Sequence, residues 1–240
     1  MAKMTVEQFT TDLGRALGDR LVSLLLYGSA ARGVNVDGRS DLNTLLICDA
    51  VDEDLFARLE VPVRAWVRAG QPAPLILTEV EWRAATDAFP IEYEDMRDAH
   101  KLLAGRDPWA GISVQREHVR RQLEHEVMGK LVQARRAYAA LRGEPRRLAE
   151  VLVQSAGGFF AMLRAALRLA GDTPPARPDQ LVQTAGARLG FDAAKLEPLV
   201  SHVTGTQTLK LKVGDPLPAA YVAALASTAA YVNRMERKAP

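Results

Sequence analysis

The chain has 240 residues, of which 48% are hydrophobic and 25% charged, with a net charge of +2. That composition fits a soluble globular protein with a real core, organised as one large domain or two small ones. No apolar run approaches the roughly 20 residues that cross a bilayer, so no membrane contact is expected. The opening MAKMTVEQFTTDLG lacks the apolar stretch of a secretory signal. The single cysteine, Cys48, excludes an internal disulfide, fits a reducing cytoplasm and, at the end of an apolar run, reads as a buried thiol.

Charge is unevenly spread. Residues 111–240 carry 19 Lys+Arg against 11 Asp+Glu, whereas residues 1–110 carry 12 against 18. An acidic first half and a basic second half suggest two domains, 1–110 and 111–240, facing each other across a cleft that attracts a phosphate-bearing ligand. The alternative is that these basic residues simply solvate the outer faces of helices.

In chain order, Thr5 and Gln8 form a capping box, and Val6, Phe9, Leu13 and Leu17 recur at helical spacing until Gly18. Leu21 to Tyr27 is a continuous apolar run, read as a strand. A Gly28-Ser29 turn and a short helical turn near Ala30 to Arg32 follow. A second strand spans about Asp41 to Cys48. Asp52 to Arg68 reads as a helix with Leu55, Leu59, Val63 and Trp66 or Val67 on one face, kinked or restarted at Pro62. Pro74 to Leu77 is a short strand, and Thr78 with Glu81 caps a helix to about Asp87. Phe89 to Tyr93 is predicted as a further strand. Helix alternating with strand up to about residue 105 gives a small mixed sheet covered by helices.

Beyond Gly105 the strand signals vanish. Helices are predicted over about 113–142, 145–170, 178–189, 192–203 and 218–238, the last with Tyr221, Leu225, Ala229 and Val232 on one stripe. This half reads as a four- or five-helix bundle. The fold class is therefore α+β, a small mixed-sheet domain followed by an all-α bundle.

Two buried strands joined by a turn bring Gly28 and Ser29 toward Asp41, twelve residues after Ser29. Glycine lets the backbone turn sharply and approach a phosphate closely, and the amides that follow offer N–H donors. The stretch LVSLLLYGSAARGVNVDGRSDLNTLLI resembles the signature of the nucleotidyltransferase superfamily, the fold of DNA polymerase beta and the aminoglycoside nucleotidyltransferases. FPIEYEDM and HKLLAGRDPW also resemble bacterial proteins predicted to belong there. The helical half matches in position the helical domains that follow the catalytic domain in the antibiotic nucleotidyltransferases.

The resemblance implies that Gly28 and Ser29 hold the triphosphate of an NTP and that Asp41 and the residue two further on hold Mg²⁺. That second position is Asn43 here, which keeps an oxygen ligand and loses the charge. The family also uses a third carboxylate, as base or ligand, and Glu92 on the predicted Phe89–Tyr93 strand is the candidate. Glu79, in the first turn of a capped helix, is read as a helix-favouring acid. Arg32 and Arg39 in the intervening loop are able to reach a phosphate as forks, or to be solvated loop arginines. Ser40 shapes the turn.

Two functions follow. One is Mg²⁺-dependent transfer of a nucleoside monophosphate from an NTP to a hydroxyl on a small molecule or macromolecule. The other is a noncatalytic nucleotide-binding or regulatory protein on the same fold, favoured by the loss of a metal carboxylate at Asn43. The arginines of the helical half spread over several faces with few aromatics between them, which argues against a nucleic-acid partner. His118 and His125, seven apart, lack the spacing of a zinc site. Gly157-Gly158 is expected to permit close helix packing. Some relatives build the cleft between subunits, so a homodimer is compatible with the resemblance.

Overall fold

The computed structural model describes residues 4–33 and 41–236. The chain divides into two compact units, Met1–Val114 and Gln115–Pro240. The fold is α+β, a small mixed sheet with its helices followed by a helical region.

In the first unit α1 (Val6–Leu17) opens with the expected capping box, Thr5 Oγ1 accepting from Gln8 N at 3.2 Å and Gln8 Oε1 accepting from Thr5 N at 2.9 Å. The amides of Thr5 and Gln8 are thereby satisfied. The strands are β1 (Leu21–Tyr27), β2 (Asn43–Cys48), β3 (Leu75–Thr78) and β4 (His100–Gly105), in the order β3-β2-β1-β4. β1 runs antiparallel to β2 and β4, and β2 parallel to β3, which makes the sheet mixed.

Strand alternation splits the core between two faces. Leu24, Leu46 and Cys48 join Phe9 and Leu13 of α1 and Leu55, Leu59 and Trp66 of α2 (Glu53–Arg68). Phe9 and Trp66 stack there with ring centroids 4.4 Å apart. Leu25, Leu45 and Ile47 face the other way, onto Trp82 of α3 (Glu79–Ala84) and Tyr93 and Met96 of α4 (Pro90–Asp98). Cys48 is buried as expected.

Several expectations are corrected. Phe89 to Tyr93 is not a strand: Pro90 starts helix α4, and Pro90, Ile91, Tyr93 and Met96 bury one helical face. Proline at the first helical position sacrifices only an amide that has no helical partner anyway. Glu92 therefore projects from a helix. The fourth strand is instead His100–Gly105, an edge strand whose Lys101 and Leu102 are exposed. The segment Ala30 to Arg32 is, as expected, one short turn of helical type, Arg32 N donating to Gly28 O at 3.1 Å. α2 runs through Pro62 without a restart, its ring buried.

The second unit contains α5 (Arg116–Leu141), α6 (Pro145–Leu169), α7 (Pro178–Leu189), α8 (Glu197–Val203) and α9 (Leu217–Glu236). Tyr221, Leu225, Ala229 and Val232 are all buried, as the stripe on α9 predicts. Gly157 has nothing close enough to pack on a Cβ, whereas Gly158 of α6 lies against the end of the Lys130 side chain, which comes from α5. No helix among the described residues is long and apolar enough to cross a membrane.

Candidate functional site

The candidate site lies at one end of the two central strands. Tyr27, the last residue of β1, is paired with Asn43 on one side and His100 on the other. Gly28 then turns the chain with φ +81°, a conformation that costs a side-chain-bearing residue, and its amide donates to Ala99 O at 3.3 Å. A Cβ on Gly28 would stand 3.4 Å from Asn43 Nδ2, so the turn and the start of β2 are in direct contact.

Ser29, Ala30 and Ala31 are half-buried, and their amides make no hydrogen bond among the described residues. The Ser29 hydroxyl makes none either. A row of such donors on a glycine turn suits an anion.

Asn43 is on the same sheet face as Leu45 and Ile47, because Leu42 packs into the opposite core with Leu46 and Cys48. Gln71 Oε1 accepts from Leu42 N at 2.9 Å and fixes the entry to β2. Asp41 precedes the strand and is exposed.

α4 covers this face, and Glu92 is half-buried on it. Burial pushes the Tyr27 phenol up from its usual range, and the negative charge of Glu92 adds to the effect. The structure thus brings Tyr27, Gly28, Asn43 and Glu92 to one end of one face.

Arg32 takes a different place. Its Nη2 lies 2.9 Å from Asp95 Oδ1 and 2.9 Å from Asp95 O, with the guanidinium side chain only 9% exposed. It ties the turn to α4. Arg39 and Ser40 lie outside the described residues. Glu79 is engaged by Arg83 at 3.0 Å and Arg106 at 2.5 Å, which holds its carboxyl below the usual range, the Arg83 hydrogen bond contributing most.

Tyr27 and His100 were not singled out from sequence. His100 Nδ1 lies 3.0 Å from Met96 O, which fixes the ring beside the end of β1. The signal for both would have been the strand at His100–Gly105, which a six-residue edge strand with mixed polarity conceals.

The donor set suits a hard cation: the Asp41 carboxylate, the Asn43 amide oxygen and, on the same face as Asn43, Glu92. Magnesium is commonly held by one or two carboxylates together with substrate phosphates and water. Among the described residues no group of three or more His, Cys, Asp and Glu is close enough to hold a metal without such help.

In the second unit the basic residues are largely engaged locally. Arg120 bridges Glu117 at 3.0 Å and Glu124 at 2.9 Å, and Arg147 binds Glu144 at 2.8 Å. Compared with protein families and with curated proteins, the chain matches no family model and no curated sequence.

Proposed function

We propose that the first unit binds a nucleoside triphosphate with Mg²⁺ at the Gly28–Ser29 turn, in the manner of the nucleotidyltransferases. The observation that carries this reading is the glycine turn, whose Ser29, Ala30 and Ala31 amides make no hydrogen bond among the described residues, set against Asn43. The Ser29 hydroxyl and these amides hold phosphate oxygens. Asp41 and Asn43 would hold the metal, which would supply charge neutralisation at the phosphates and Lewis-acid activation of the phosphorus.

In the transfer reading, a hydroxyl of an acceptor attacks the α-phosphorus, its oxygen–phosphorus bond forming as the bond to pyrophosphate breaks. Glu92 accepts the hydroxyl proton. The position of Glu92 over the face that carries Asn43 supports that role. The acceptor is a small molecule or a macromolecule other than nucleic acid, and the setting is the reducing cytoplasm that the lone buried Cys48 suits.

A second reading has its own support. Asn43 stands where the family has a carboxylate, and Arg32 is held by Asp95. Both features suit a noncatalytic protein that binds the nucleotide and does not cleave it.

Pyrophosphate release from ATP, GTP, CTP and UTP with Mg²⁺ separates the two, water serving as the hydroxyl acceptor. Transfer predicts release that falls about 100-fold or more in Glu92→Gln. NTP binding without release leaves the noncatalytic reading. Absence of NTP binding removes both.

A further inference from the structure

A separate chamber of about 70 Å³ opens within the second unit, between α5, α6 and α9. Its walls are mostly apolar, formed by residues such as Ala134, Ala137, Leu148, Val151 and Leu152. Lys130, Gln133, Tyr138, Ser155 and Tyr221 bring polar groups to it as well. Lys130 Nζ lies 3.4 Å from Ser155 O, Ser155 Oγ lies 2.7 Å from Tyr221 Oη, and Tyr221 is 1% exposed.

The lysine is held there by its surroundings. A Cβ on Gly158 would come within 3.1 Å of Nζ, so the glycine makes room for the ammonium. Among the described residues Lys130 forms no ion pair. The charge that acts on it is Glu126, one turn earlier, whose carboxylate accepts a hydrogen bond from Gln122 Nε2 at 2.5 Å. Burial pushes the Lys130 amine below its usual range, and an anion beside it would offset that cost.

A single cation with uncharged polar groups beside it, ahead of an aliphatic wall, is complementary to an amphipathic monoanion. A phosphate dianion would leave one charge unmatched against apolar walls. The volume is about half of the roughly 150 Å³ apolar cavity that admits benzene, so the ligand is short.

We propose that this chamber binds the carboxylate of a short-chain aliphatic acid, its oxygens held by Lys130 Nζ and by whichever of the Ser155 and Tyr221 hydroxyls is the acceptor in the bond between them, and its chain by the Leu148–Leu152 wall. The site is independent of the nucleotide reading, since it lies wholly in the second unit.

Calorimetric titration of the full chain with acetate, propionate, butyrate and hexanoate, and with n-butylammonium as control, tests it. The expected result is affinity rising about fourfold per methylene until the chamber is full, then levelling. Lys130→Met is expected to weaken butyrate at least tenfold, and n-butylammonium not to bind. Acylation of Lys130 by an amine-reactive reagent, read by peptide mass, is expected to slow in butyrate but not in chloride. This second readout uses the unaltered protein and decides the matter if Lys130→Met melts. No heat with any acid, equal binding by Lys130→Met and wild type, equal binding of the amine, or no protection of Lys130 by butyrate would each overturn the proposal.

Discussion

Arg32, at the end of the glycine turn, and Asp95, on the helix that covers it, meet through one guanidinium nitrogen that contacts both the carboxylate and the backbone carbonyl of Asp95 at 2.9 Å. With side-chain exposures of 9% and 17%, the pair is shielded from water, so removing one partner takes a charge-assisted contact away from the other where water replaces it poorly. Arg32→Ala is expected to lower stability by roughly 2–3 kcal/mol, measured by urea denaturation. Asp95→Asn keeps the carbonyl contact and is expected to cost less. An Arg32→Ala protein with unchanged stability and lost nucleotide affinity would instead place the guanidinium on a phosphate.

Gly105 closes β4 against β1 with φ +80°, where an added Cβ would overlap the Val22 carbonyl group. Its neighbours there are backbone atoms that cannot step aside. Gly105→Ala is therefore expected to destabilise the first unit by about 3 kcal/mol or more, through left-handed strain and overlap together. Thermal denaturation checks this.

Cys48 sits buried between β2 and the helices α1 and α2, and burial raises its thiol pKa from 9.0 to about 11, with the Asp49 carboxylate adding to the effect. The folded pKa lies above the unfolded one, so the stability this burial contributes is complete below about pH 9 and is lost as pH rises toward 11. The loss amounts to roughly 3 kcal/mol at most. Urea midpoints are expected to fall over that window, and to fall less in Cys48→Ala. In native protein at pH 8 the thiol is expected to resist a disulfide reagent that reacts at once in urea.

The fold was legible where local chemistry and burial agreed. Leu21 to Tyr27 is apolar but for Ser23 and both of its faces are covered, so the run marks strand β1 at its true ends. The two capping boxes, at Thr5 and Thr78, each mark a real helix start. Reading failed between residues 89 and 105. Ile91-Glu92-Tyr93-Glu94 alternates like a strand over four residues, and only the later Met96 reveals the helical period. His100–Gly105 looks like loop because its register is imposed by Tyr27 and Ser23 across the sheet. Of the candidate site, Gly28 and Asn43 were legible because they flank the β1–β2 connection. The partners of Tyr27 and Arg32 come from α4 and β4, far along the chain.

Asn43 is the position at which the transfer reading is most exposed. Asn43→Asp restores a carboxylate beside the Gly28 turn. It is expected to tighten Mg²⁺-dependent nucleotide binding by about tenfold or more, since one added charge near a divalent ion outweighs its desolvation at a surface site. Titration of NTP at fixed Mg²⁺ concentrations checks this. An unchanged Mg²⁺ dependence would mean that residue 43 does not face the metal.

The most direct test is calorimetric titration of the protein with ATP, GTP, CTP and UTP, in Mg²⁺ and in EDTA, beside Asp41→Ala. The account predicts that at least one NTP binds with Mg²⁺, and that EDTA or Asp41→Ala weakens that binding tenfold or more. Binding indifferent to both would remove the metal-dependent transfer and leave the noncatalytic reading. If none of the four nucleotides binds, the Gly28–Ser29 turn is not a phosphate cradle and the central claim is contradicted.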